Sequence, residues 1–253
     1  MPTSLRRLAS VSVLALVLVL PASATATNSW GGYHWARTSN PFNLKLGDNV
    51  SSTWDSYLGT TSTDWSASSV LDTTIVSGGT RPKNCRPTTG RVEVCNASYG
   101  NTGWLGVASI SITGGTHITQ GTVKVNDTYF NTAQYNTPAW RNLVMCQEVG
   151  HTLGLDHQDT NFTNPNLGTC MDYTNNPSTN QHPNQHDYDE LVIIYTHLDS
   201  TTTVGAAAPK GAVAASSASA FGRLVSSSRG GKVQTFVRDL GLGRFEVSFV
   251  IWA

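Results

Sequence analysis

Eleven consecutive residues, Gln147-Glu148-Val149-Gly150-His151-Thr152-Leu153-Gly154-Leu155-Asp156-His157, carry more chemistry than the rest of the chain. On a helix, positions 147 and 151 stand four apart and share one face, so both side chains can reach the same point beyond it. Gly154 lets the chain leave the helix and swing His157 back towards that point. Two imidazoles converging there are nitrogen ligands for a divalent cation, zinc above all. Glu148 is the carboxylate beside the first ligand position, placed to take a proton from a water on that cation. Gln147 is the weak member, because a neutral amide oxygen lies outside the usual zinc donors of Cys, His, Asp and Glu.

A helix must present these groups and a frame must hold the helix. Thr137 is the expected N-cap, with Pro138 at the first helical position, where its missing N–H costs nothing. Upstream, strands are expected over Tyr33–Arg37, Val70–Val76, Arg91–Cys95, Leu105–Ile112 and Thr122–Tyr129, the last alternating Val123 and Val125 with Lys124 and Asn126. Val50, Trp54 and Leu58 at four-residue spacing predict a helix over Asp48–Leu58. Downstream, a polar loop over Asp159–Pro183 leads to a helix over Asp187–His197, with Tyr188, Leu191, Ile194 and Tyr195 on one stripe. Asp187 and Asp189 read as first-turn acids favourable to its dipole. The order is that of an α/β or α+β domain.

Residues 200–220 are Ala, Ser, Thr and Gly around Pro209, a linker composition. Residues 221–253 read as three short strands between glycine turns, a β-rich appendage too small to be robust alone. They are expected to dock on the main domain or on a partner. At the other end, Arg6 and Arg7 precede the apolar stretch Val11–Leu20 and the small residues Pro21–Ala26. That stretch is half the length a membrane span needs, about 20 residues, so residues 1–26 read as a secretory signal peptide. The layout expected is signal peptide 1–26, main domain 27–199, linker 200–220 and appendage 221–253.

Charged residues are 13% of the chain and the net charge is zero, against about 25% charged in ordinary soluble domains. No basic field is available for nucleic acid or an anionic membrane. The four cysteines, Cys85, Cys95, Cys146 and Cys170, are an even number in an exported chain and imply two disulfides. Three connectivities are open. The preferred one joins Cys85 to Cys95 and Cys146 to Cys170. No G-x-S-x-G elbow, P-loop or dinucleotide fingerprint occurs. His182 and His186 flank Pro183 and Asn184 in a loop and read as surface or capping groups.

The segment Glu148-x-x-His151-x-x-Gly154-x-x-His157 resembles the zinc helix of the metzincin clan, which includes matrixins, astacins and serralysins. Gln147 stands where those proteins carry the first histidine. Cys170-Met171-Asp172-Tyr173 is similar to their methionine turn. The resemblance covers about residues 30–198, and its specific part is confined to these two segments. It implies a metzincin-like (zincin) fold: a twisted mixed sheet, a motif helix, a methionine turn beneath the metal and a C-terminal helix. It also implies a secreted zinc-dependent endopeptidase in which Glu148 is the general base, His151 and His157 are ligands and Gln147 is a provisional third. Tyr173 would stabilise the oxyanion, and Gly154 and Met171 would shape the site. The strand over Leu105–Ile112 would be an exposed edge that pairs with an extended protein or peptide substrate, or else an ordinary core strand, and Trp104 could line the cleft. The chain is expected to act as a monomer.

Gln147 leaves four accounts open. It could coordinate weakly through its oxygen. It could leave a catalytically degenerate protein that binds peptides without turnover. Asp156, Asp159, His117 or Cys146 could complete the site, Cys146 being rotated off the ligand face. Or calcium with oxygen ligands could replace zinc, for which the sequence offers no support.

Overall fold

A computed structural model describes residues 28–206, 218–228 and 230–253. The expected signal peptide and the centre of the expected linker lie outside these residues. Nine strands form one mixed sheet: β1 (His34–Trp35), β2 (Phe42–Asn49), β3 (Leu71–Ser77), β4 (Val92–Ala97), β5 (Trp104–Thr113), β6 (His117–Asn126), β7 (Arg223–Ser227), β8 (Val233–Gly241) and β9 (Arg244–Trp252). Their order is β3-β2-β4-β6-β5-β9-β8-β7, and β1 lies alongside the start of β6. The first four strands of that order run parallel; β5, β9, β8 and β7 then alternate antiparallel.

The helices are α1 (Asp55–Trp65), the short α2 (Asp127–Phe130), α3 (Pro138–Thr152) and α4 (Gln185–Ile194). The Asp48–Leu58 expectation is corrected. Phe42, Leu44 and Leu46 alternate inward as β2, and the helix begins only at Asp55. Its buried face is Leu58, Thr61, Ser62 and Trp65, so Leu58 opens the stripe rather than closing it. The α3 start is as read: Thr137 accepts from the Trp140 N–H, with Pro138 in the first turn.

α1 and α3 pack together on one face of the sheet. The Trp65 indole donates to the Cys146 carbonyl at 3.1 Å. A side chain at Gly150 would overlap both Trp65 and Met171 Sδ, so the absence of one at that position sets how closely α3 lies on its neighbours. Cys146 is bonded to Cys170, tying α3 to the turn below it, and Cys85 is bonded to Cys95. At α4, Asn184 and Asp187 form a reciprocal capping box. Asp187 is therefore more than a surface acid: it is buried and also accepts from Thr169 and Gln158.

The largest departure concerns β5, which is an interior strand and not an exposed edge. β9 pairs along its length, with Val107 opposite Val250, Ala108 opposite Phe249 and Ile110 opposite Val247. Val233, Val247, Phe249 and Ile251 of the appendage join the main core, each contributing roughly 1.5–3 kcal/mol by burial. On the opposite face, Trp104 is enclosed with Val107, Phe221, Phe236 and Val250 and does not line a cleft. No helix among the described residues is long and apolar enough to cross a membrane.

Candidate metal centre

Every residue of the expected centre is carried by α3, by the chain leaving it, or by the turn Cys170 joins. Gly154 adopts φ +98°, which L side chains rarely adopt, and a side chain there would overlap the Tyr33 carbonyl. Position 154 is thus restricted to glycine twice over. The bend it permits brings His157 back to His151, and their Nε2 atoms face each other at 3.1 Å.

The tautomers follow from the other ring nitrogens. His151 Nδ1 lies 2.9 Å from the Leu155 carbonyl, which can only accept, and His157 Nδ1 lies 3.2 Å from Asp156 Oδ1. With Nδ1 protonated in both rings, both Nε2 atoms carry lone pairs. Two lone pairs at that separation repel unless a cation or a proton lies between them. Nitrogen donors on one tetrahedral zinc, with bonds of about 2.0–2.1 Å, stand roughly 3.3 Å apart. The arrangement fits such an ion. Burial, then the neighbouring His157, pushes His151 down to about 3, so it is a neutral ligand across the ordinary range. At Asp156 burial acts upward, but hydrogen bonding and charge from His157 outweigh it and hold the carboxyl below its usual range.

Glu148 is fully enclosed, and neither carboxylate oxygen has a side-chain partner. Burial holds it well above the usual carboxylate range, and the Ala108 backbone N–H only partly offsets this. β5 passes so close that a side chain at Gly106 would overlap Glu148 Oε1. A buried carboxyl that no other side chain partners is costly.

Gln147 donates through Nε2 to the Cys170 carbonyl at 2.7 Å. A carbonyl only accepts, so this contact fixes the amide's orientation and turns Oε1 away from Cys170. Gln147 borders a cleft of about 390 Å³ shared with Tyr173, Asp172, Trp140, Lys232 and Ile251. Tyr173 sets its ring edge-on to His157 at 4.2 Å and stacks on Phe162; burial, then Asp156 and Glu148, raises its hydroxyl and keeps it protonated. Met171 is fully buried beneath Gly150.

None of the four substitutes for Gln147 is engaged at this point as a ligand. Cys146 is spent in its disulfide, Asp156 holds His157 Nδ1, and Asp159 accepts from Asn161 and Asn164. His117 lies 3.2 Å from Asp199 instead. His182 pairs with Asp64 at the surface.

Two features were not anticipated. The Phe249 ring of β9 lies flat on His151, centroids 4.3 Å apart and planes within 5°. Separately, a His-His-Asp cluster of His34, His197 and Asp199 could hold a metal ion, and no motif histidine belongs to it. Its members lie up to 165 residues apart (199 − 34), so no local spacing could announce it.

No family model and no curated protein matches the sequence. Among solved structures the chain is similar to the crystal structure of myroilysin, with TM-score 0.35 and 13% identity over 70% of this chain and 98% of that one. A likeness of that size fixes neither fold family nor activity.

Proposed function

We propose that the protein is a secreted zinc-dependent metalloendopeptidase of metzincin type. The observation that carries this reading is the facing Nε2 pair of His151 and His157, with Glu148 a buried carboxyl, on the same helix as His151, that no side chain partners. His151, His157 and, through Oε1, Gln147 would hold the ion. Bound zinc would supply Lewis acidity and bring the pKa of its water towards about 7. Glu148 accepts the proton of the attacking water and passes it to the leaving amine. Tyr173, protonated and edge-on to His157, donates to the carbonyl oxygen as negative charge develops there. Two disulfides fit an extracellular protein.

A second reading is supported by the tether of Gln147 to Cys170 and by Phe249 over His151: a degenerate relative that binds peptides or surface partners without turnover. Metal analysis of the wild type beside Gln147→His separates the two. Zinc held by the wild type at this centre, with chelator-sensitive peptide cleavage lost in Glu148→Ala, supports the enzyme. Zinc and cleavage that appear only in Gln147→His favour the degenerate protein. Cleavage that survives Glu148→Ala rules out the mechanism.

A further inference from the structure

We propose that His34, His197 and Asp199 hold a second divalent cation, of zinc-like preference and structural role, independent of the motif helix. His34 and His197 also meet Nε2 to Nε2 at 3.1 Å. His34 Nδ1 lies 2.8 Å from the Gly32 carbonyl, which assigns its proton there and leaves Nε2 as a lone pair. Asp199 divides its oxygens: Oδ2 accepts from the Arg37 backbone and guanidinium, while Oδ1 faces His34 and His197 Nε2 at 3.6 and 3.7 Å. His117 Nε2, 3.2 Å from the same oxygen, is the available fourth ligand. Two or three imidazoles and a carboxylate are a zinc donor set. The ion would clamp β1 and the start of β6 to the chain leaving α4, where Arg37 already donates to the Tyr195 and His197 carbonyls.

The test uses the full chain carrying His151→Ala and His157→Ala, with Zn²⁺ and Co²⁺ as probes. The expectation is one ion per chain, a tetrahedral Co²⁺ absorption spectrum, and a melting temperature that rises with zinc. His197→Ala in that background should weaken binding at least 10-fold; its side chain is 52% exposed, so its loss leaves the fold intact. No bound ion in the double variant, or binding indifferent to His197→Ala, overturns the proposal and leaves a proton-sharing cluster.

A different observation carries a second inference, which rests on the peptidase reading: β9 occupies the place of substrate, and the C-terminal strands inhibit the enzyme in cis. β9 lies antiparallel along β5, as an extended peptide would, and seats Phe249 on His151. The strands belong to the same chain, so they would compete with substrate intramolecularly. Cutting the chain ahead of them and diluting removes that advantage.

The experiment inserts a recognition sequence for a specific protease between residues 207 and 217. After cutting and dilution, β5 amide exchange and hydrolysis of a fluorogenic peptide should both rise at least 10-fold. A synthetic peptide spanning 223–253 should reverse both. Hydrolysis by the intact chain as fast as by the cut one, or β5 amides that stay protected, overturns the inhibition. Amides that open and close again with added peptide, with zinc bound and no hydrolysis, would retain the masking and sink the peptidase reading.

Discussion

Two pairs of imidazoles in this molecule meet at the same 3.1 Å, and their surroundings differ in kind. His151 and His157 are enclosed, with a glutamate that has no side-chain partner. His34 is buried and His197 exposed, and both face an aspartate anchored by Arg37. At Asp199 burial acts upward, but the Arg37 hydrogen bond and the histidine charges outweigh it and hold the carboxyl below its usual range. At Glu148 nothing offsets burial enough, and the carboxyl is held well above its range. Convergent histidines therefore do not distinguish a reactive site from a fixed one. On the proposed reading the state of the neighbouring carboxyl does: held by Arg37, it fastens the chain; without a side-chain partner, it is free to move a proton.

The sharpest way to break this comparison is Glu148→Gln. Losing the general base should lower turnover about 10²–10⁴-fold while zinc content stays unchanged. The same variant should melt higher than wild type in chelator at neutral pH, because a neutral amide replaces a buried acid. Lost zinc, or a lower melting temperature, would make Glu148 a structural partner like Asp199.

Next comes the residue that links the regions. In Gly154→Ala the new side chain meets the Tyr33 carbonyl, one residue from His34, and the left-handed bend is strained as well. The expected cost is roughly 2–5 kcal/mol, read by chemical denaturation, with zinc affinity falling at both centres. Loss confined to the motif centre would show that the two are mechanically separate.

How much of this was legible beforehand depended on sequence distance. The α3 cap, its face and the Gly154 bend are local, and Thr137, Pro138 and the 147–157 spacing point to them. The bond from Cys146 to Cys170 bridges 24 residues; counting cysteines gives two disulfides with three pairings open, and the preferred pairing contains this bond. An apolar strand bordered by turns reads alike at an edge and in an interior, so local sequence leaves the place of β5 open between the two. Its neighbour is set by Val247, Phe249 and Ile251, about 140 residues downstream. Phe249 is an apolar residue in a strand pattern and carries no local mark of a site; the register opposite Ala108 places its ring on His151.

Acid provides a milder probe of the enclosed pair. In chelated protein His151 titrates near 3, below its unfolded value of about 6.5. A folded value below the unfolded one contributes stability present above the unfolded value and lost as pH falls towards the folded one. The melting temperature should therefore drop between about pH 6.5 and 3, and His151→Gln should flatten that drop. An unchanged slope would mean that acid acts elsewhere.

The smallest effect sharpens the contact between the regions. Ser109 of β5 and Ser248 of β9 lie opposite each other, buried, with hydroxyls 2.8 Å apart. Ser248→Ala keeps the strand and the apolar packing and leaves the Ser109 hydroxyl without that partner. The expected loss is about 1–2 kcal/mol, too little to unfold the chain and enough to loosen β9. If β9 is held as firmly as the rest of the sheet, global stability falls and β5 exchange keeps pace with it. If β9 opens on its own, β5 amides exchange several-fold faster at unchanged melting temperature, and hydrolysis by the intact chain rises with them. The second outcome is the one expected of a strand that stands in for substrate, since a permanent core strand has no reason to leave before its neighbours.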